Sequence, residues 1–272
     1  MNNHPIVVGI DGSPGARRAV WWAAKEAARR HSPLLLVHGY GIPAAFYNET
    51  APPQDWLADK EKQSRDWLAE AAEIAERADP DAELYTESFL DSAVPLLISE
   101  SGSATMVVVG FTARSVLGEL VMGSTGASLA AHGHCPIVVV RGRDGRLISA
   151  DDPVVVGVDG GQGSVAATGL AFEEAALRGV SLVALHADEG RERVSLDAVL
   201  APWREKYPEV TVQEVTTRED PRKGLLDWSG RAQLVVVGSR GRGGFTGLLL
   251  GSTSHAVIHH ADCPVLIARS SA

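Results

Sequence analysis

Ile6–Tyr40 reads IVVGIDGSPGARRAVWWAAKEAARRHSPLLLVHGY. A β-branched run ends at Asp11, a Gly/Ser/Pro turn follows, alanines and aromatics spaced for a helix come next, and the apolar run Leu34 to Val37 closes the segment. Both strand runs are almost continuously apolar, which predicts strands of a parallel sheet covered by helices on both faces. The segment is written again as VVVGVDGGQGSVAATGLAFEEAALRGVSLVALHAD at Val154–Asp188, at an offset of 148 (from Asp11 to Asp159). Gly9 then matches Gly157 and His38 matches His186.

The ends of the two copies match as well. MVVVGFTARSVLGELVMGSTGASLAAHGHCPIVVVR, Met106–Arg141, aligns with LVVVGSRGRGGFTGLLLGSTSHAVIHHADCPVLIAR, Leu234–Arg269, at an offset of 128 (from Gly123 to Gly251). The loss of about 20 positions between the two offsets places an added stretch in the first copy, around Gly41 to Asp55. A repeat of this length predicts two homologous domains, residues 1–146 and 147–272, joined through the polar stretch GRDGRLISADD (142–152). Each is expected to be a five-stranded, doubly wound, Rossmann-like α/β domain. Ligands of such sheets sit beyond the carboxyl ends of the strands, where strand order reverses.

Bulk properties narrow the function. The 272 residues carry a formal charge of −9 with no long run of either sign, which argues against nucleic acid or an anionic membrane as partner. No apolar run approaches the roughly 20 residues of a spanning helix, and the start is a strand pattern, so a cytoplasmic location is expected. The two cysteines, Cys135 and Cys263, lie at matching points of the copies, which does not suggest a disulfide framework.

The glycines carry the functional signal. In the second copy Gly238 and Gly241 follow the strand and, after nine intervening residues, Gly251-Ser252 open the next helix. Such a loop can curl around phosphates, with Gly251, Ser252 and Thr253 offering N–H and hydroxyl donors at a helix start. Arg240 and Arg242 add positive charge, and Gly243 and Gly244 continue the loop. Across the crevice Asp159 can accept from ribose hydroxyls, and Gly157 leaves room for sugar or base. In the first copy Gly9, Asp11, Gly39, Gly110, Arg114, Gly123, Ser124 and Thr125 form the corresponding set, but Ala113 stands where the second copy has Gly241. That alanine matters if the position needs positive φ or the closest backbone approach. Neither the P-loop pattern G-x-x-x-x-G-K-[ST] nor a G-x-G-x-x-G after the first strand is present.

With these residues in view, the chain resembles the universal stress protein family in its tandem, actinobacterial form. The family's ATP-binding pattern, G-x2-G-x9-G-[ST], is met by Gly238, Gly241, Gly251 and Ser252. The resemblance implies that Asp159 lies at the ribose, that Ala187 meets adenine through its backbone, and that Ser252, Thr253 and Ser254 contact phosphate. It also implies ATP, with Mg2+, as the ligand, and pairing of the two copies through PIVVVR and PVLIAR as a pseudo-dimer, with two chains assembling into a homodimer. The expected function is nucleotide-dependent regulation of stress response or growth, read out by unidentified protein partners. The alternative is a slow Mg-dependent ATPase or nucleotidyl transferase, for which no Walker lysine or paired metal carboxylates are seen. Loop and aspartate report phosphate and ribose, so AMP and cyclic or dinucleotide derivatives stay open beside ATP. His132, His134 and Cys135, echoed by His259, His260 and Cys263, invite a metal reading, but their spacings differ between copies, and helix-end histidines with a small buried thiol account for them. Trp21, Trp22, Trp56 and Trp67 are read as packing or interface residues.

Overall fold

The structure is a computed structural model that describes residues 4–42, 54–111, 114–116, 119–121, 124–141, 148–188, 195–241 and 250–269. Contacts divide the chain into two units, Met1–Cys135 and Pro136–Ala272. The proposed repeat boundary at 146/147 falls outside the described residues, as does most of the added stretch of the first copy.

In the first unit, β1 (Ile6–Gly9), α1 (Pro14–Arg30), β2 (Leu34–Gly39), α2 (Gln54–Ala78), β3 (Leu84–Phe89), α3 (Ala93–Glu100) and β4 (Met106–Gly110) alternate along the chain. The strands lie in the order β4-β1-β2-β3, all parallel, with Val8 opposite both Leu36 and Val108. The order reverses between β1 and β4, which opens a crevice beyond their carboxyl ends. A two-stranded antiparallel hairpin, β5 (Arg114–Val116) and β6 (Glu119–Val121), and α4 (Ser124–His132) complete the unit.

The second unit begins with β7 (Ile137–Val140), the last strand of the first repeat. It continues through β8 (Val154–Gly157), α5 (Gln162–Arg178), β9 (Leu182–Ala187), α6 (Leu196–Lys206), β10 (Val212–Thr217), α7 (Pro221–Ser229), β11 (Leu234–Gly238), α8 (Ser252–His260) and β12 (Val265–Ala268). Strand order is β10-β9-β8-β11-β12-β7. The first five strands are parallel, and β7 runs antiparallel to β12 with Val139 opposite Val265 and Ile137 opposite Ile267. PIVVVR and PVLIAR thus pair as expected. All four residues of β7 and of β12 are buried, as continuous apolar strands require.

Both repeats tie the end of α3 or α7 to the segment after α4 or α8 in the same way. Ser101 Oγ accepts the His134 amide at 2.9 Å, and Ser229 Oγ accepts the Asp262 amide at 2.9 Å; both serines are buried. Both first helices also bury a glutamate. Glu26 pairs with Arg30 at 2.7 Å and with Arg29 at 3.4 Å, and Glu174, at the matching position, pairs with Arg178. The Glu174 side chain is 0% exposed and that of Arg178 is 3% exposed. Replacing only one partner of such a pair strands the other charge. Glu174→Ala is therefore expected to lower unfolding free energy by about 3–5 kcal/mol in urea titrations, whereas Glu73→Ala, which breaks an exposed pair with Arg77, changes it by less than about 1 kcal/mol.

Near the end of α8, Arg141 donates from Nε to the Ala261 carbonyl (3.1 Å) and from a terminal nitrogen to the Ile258 carbonyl (2.8 Å), satisfying groups that a helix end leaves open. His259 is buried in this region. Burial, followed by the nearby His255, His260 and Arg141, pushes its pKa from 6.5 down to about 4. The folded chain thus keeps His259 neutral where the unfolded chain protonates it. Between pH 6.5 and 4 the unfolded state binds the extra proton, so stability falls as pH is lowered through that window. Urea midpoints across the window should fall less steeply for His259→Gln than for the wild type.

Candidate functional site

In the second unit the expected residues converge where β8 and β11 end. Asp159 follows β8 and uses Oδ1 to accept the Gly161 amide at 2.8 Å. Gly160 takes φ +75°, a conformation costly for any residue with a Cβ, and its amide donates to Ser164 Oγ at 3.0 Å. The first turn of α5 is thereby folded back beneath the aspartate. The end of β11 lies directly on it: a Cβ at Gly238 would stand 2.7 Å from the carbonyl carbon of Gly163, and one at Gly163 would stand 2.5 Å from the Arg240 carbonyl oxygen. Only glycines permit strand, loop and helix backbones to meet here.

The remaining members of the set close around this contact. A Cβ on Gly241 would lie 2.6 Å from Asp159 Oδ2, so glycine loop and aspartate touch. The Gly251 amide donates to the Ser239 carbonyl at 2.9 Å, seating the start of α8 against residues 239–241. Gly251 is the N-cap of α8 and, among the described residues, no side chain caps that helix, whose first-turn N–H groups carry the positive end of the helix dipole. Ser252 is exposed and Thr253 half-buried on that turn. Ser254 is buried and its hydroxyl donates to the Gly238 carbonyl at 2.6 Å, tying α8 to β11. Arg240 is exposed at the rim, and Ala187 is half-exposed at the end of β9, opposite Thr217 of β10. Arg242, Gly243 and Gly244 lie outside the described residues.

Some expected roles take a different form. On the Cβ side of Gly157, Leu225 of α7 sits 3.2 Å from where its Cβ would be, and Leu97 of α3 sits 2.9 Å from the same point at Gly9. These glycines let a helix pack onto the end of the first strand of each repeat. Gly39 is held similarly, 2.6 Å from the Asp91 carbonyl oxygen at the Cβ position. Gly241 does not adopt positive φ, so its need for glycine comes from the Asp159 carboxylate and not from backbone strain.

In the first unit, Asp11 is exposed, and its Oδ1 accepts the Ser13 amide at 3.0 Å; Gly12 takes φ +71°. A Cβ at Gly110 would run into the Gly15 carbonyl, repeating the close contact of Gly238 with Gly163. Here α1 is capped by Ser13 Oγ, which accepts the Ala16 amide at 3.1 Å. Ser124 begins α4, Thr125 is half-buried in its first turn, and Arg114 opens β5. Gly123 and Ala113 lie outside the described residues.

Sequence reasoning missed several supporting residues. His38 and His186 are buried, and their Nδ1 atoms bond the carbonyls of Ile10 (2.6 Å) and Val158 (2.8 Å), fixing the residue just before each aspartate. The matched positions of the two histidines were a visible signal of this shared duty. Gly15 and Gly163 match at the same offset. Cys135 and Cys263 are buried thiols, and among the described residues no group of three metal-ligating side chains is assembled. Among the same residues no helix is long and apolar enough to cross a membrane.

Comparison with known proteins places this geometry. The sequence profile described as "Universal stress protein family" matches residues 2–141 and 152–269. The chain is 38% identical over 288 residues to universal stress protein Rv2005c of Mycobacterium tuberculosis, covering 98% of each. It is 39% identical over 290 residues to a universal stress protein of Mycolicibacterium smegmatis, covering 97% of this chain and 96% of that one. Among solved structures, a universal stress protein from Archaeoglobus fulgidus superposes with a TM-score of 0.77 at 18% identity, covering 99% of this chain and all of the other, a likeness of fold. Two family matches in tandem, full-length relatives and the doubly wound sheets agree: the chain belongs to the universal stress protein family.

Proposed function

We propose that the second repeat binds an adenine nucleotide, ATP in the cell, and that the bound nucleotide sets a state of the protein that partners in a cytoplasmic stress response read. The observation that carries the reading is the convergence, in one crevice, of the Asp159 carboxylate, the Gly241 turn and the start of α8, which no side chain caps among the described residues. In this reading Asp159 holds ribose hydroxyls, the carbonyl edge near Ala187 meets the base, and the amides of Gly241, Ser252 and Thr253 bind phosphate oxygens, with Arg240 adding charge. The fit is one of shape and charge: glycines admit phosphate close to backbone N–H groups, and the helix start favours an anion. Mg2+ is taken to arrive on the phosphates. Nothing in the arrangement calls for turnover, so nucleotide acts as ligand.

Protein purified without added nucleotide and extracted with acid should release an adenine nucleotide. Asp159→Glu combined with Gly241→Glu, which brings bulk and negative charge into the phosphate loop, should release none while remaining folded. Undiminished nucleotide in that double variant would overturn the site; ADP in place of ATP, with steady Mg-dependent turnover lost in the same variant, would favour the hydrolase. A finer test is Gly241→Ala. Because φ there is ordinary, the thermal midpoint should hold, while the methyl group displaces the Asp159 carboxylate and weakens Mg-ATP binding by about tenfold, the equivalent of about 1.4 kcal/mol.

A further inference from the structure

The two repeats support their aspartate turns by different means. In the first, Trp67 of α2 lies on the turn: a Cβ at Gly12 would stand 2.6 Å from Trp67 Nε1, so the indole rests on the glycine backbone at φ +71°. The same ring meets His38 edge-on, with centroids 5.1 Å apart and planes at 84°. Gly12 follows Asp11 and His38 precedes Gly39, so one side chain abuts the neighbours of two proposed ligand residues, one in the turn after β1 and one at the end of β2. His38 is itself bonded to the Ile10 carbonyl, which closes a ring of contacts from α2 to β2 to β1. The helix that carries Trp67 is anchored to α1 by the Arg17–Glu70 pair at 2.8 Å, beside a small hollow lined by Ile10, Ala16, Val20 and Ala71.

The second repeat is built otherwise. Its α6 has 11 residues where α2 has 25, and its Trp203 rests on Gly169 in the middle of α5, where a Cβ would run into the ring. Gly169 corresponds to Trp21 of the first repeat, so the two helices exchange a glycine for a tryptophan and dock their partners at different places. The Asp159 turn is met by Gly241 instead, and the first repeat has Ala113 at that position.

We propose that Trp67 is a positioning residue of the first repeat's nucleotide site: by holding Gly12 and His38 it sets where the Asp11 carboxylate and the Gly39 backbone stand. The proposal rests on the nucleotide reading above and extends it to the first repeat. It makes affinity at the first site, and not at the second, depend on α2.

The test uses the full chain with the second site silenced by Asp159→Glu and Gly241→Glu, and Mg-ATP as probe. In that background Trp67→Ala should weaken binding by about tenfold or more, and Trp67→Phe, which keeps a ring on Gly12, should restore most of it. With the second site intact and the first silenced by Asp11→Glu, Trp67→Ala should leave affinity unchanged. A parallel measurement reads the intact Trp67 directly. The chain labelled with 5-fluorotryptophan gives one fluorine signal for each of its six tryptophans, and the Trp67 signal, assigned through Trp67→Phe, should move on Mg-ATP saturation of the second-site-silenced chain. Binding there with an unmoved Trp67 signal, or with equal affinity in Trp67→Ala, would overturn the inference and leave the nucleotide reading standing. No binding in that background, with binding retained by the wild type, would overturn the inference while sparing the second site. Absence of binding by the wild-type chain would overturn both.

Discussion

The backbone of Gly238, at the end of β11, lies against that of Gly163, in the first turn of α5, and Gly110 lies against Gly15 in the same way. A methyl group on either strand glycine would meet main-chain atoms that cannot rotate aside. This contact lets a helix start and a strand end share one point, so the residues just beyond β8 and β11, Asp159 and Gly241 among them, face one another closely. Asp159 can touch the Gly241 turn only because β11 and α5 approach so closely.

Around the contact, each repeat spends its polar groups on holding two loops still. His38 and His186 fix the carbonyl before the aspartate, the aspartate accepts an amide two residues on, and glycine at positive φ turns the chain into the helix. Ser254 locks α8 to the end of β11, and Gly251 hands its amide to Ser239. Donors used in these ties are unavailable to a ligand. Among the described residues of the second repeat, neither the start of α5, at Gly161, nor that of α8, at Gly251, has a side-chain cap, and preorganised N–H groups at a helix start favour an anion.

Much of this was legible in the sequence because it is written twice. Continuous apolar strands, matched glycines and matched aspartates announced two doubly wound modules, and the terminal runs PIVVVR and PVLIAR pair antiparallel as β7 and β12. Less legible were contacts that join residues distant in sequence. Gly157 looked like space for a ligand, and on its Cβ side it accommodates Leu225, as Gly9 does Leu97, because a glycine records only that something comes close and not what does. The β5–β6 hairpin escaped notice since three-residue strands flanking Leu117-Gly118 have too short a period to stand out. Trp67 was read as a packing residue without an address; its neighbours Gly12 and His38 are set by the tertiary path of a helix present at that length in one repeat only.

The central claim is that phosphate groups meet backbone N–H groups at the end of β11 and the start of α8. Amide chemical shifts of nitrogen-15-labelled protein titrated with Mg-ATP address it most directly. The account predicts that the largest changes fall on Gly241, Ser252 and Thr253, with Asp159 and Gly160 following across the crevice. Saturable binding that leaves those amides unmoved and shifts residues elsewhere would contradict it.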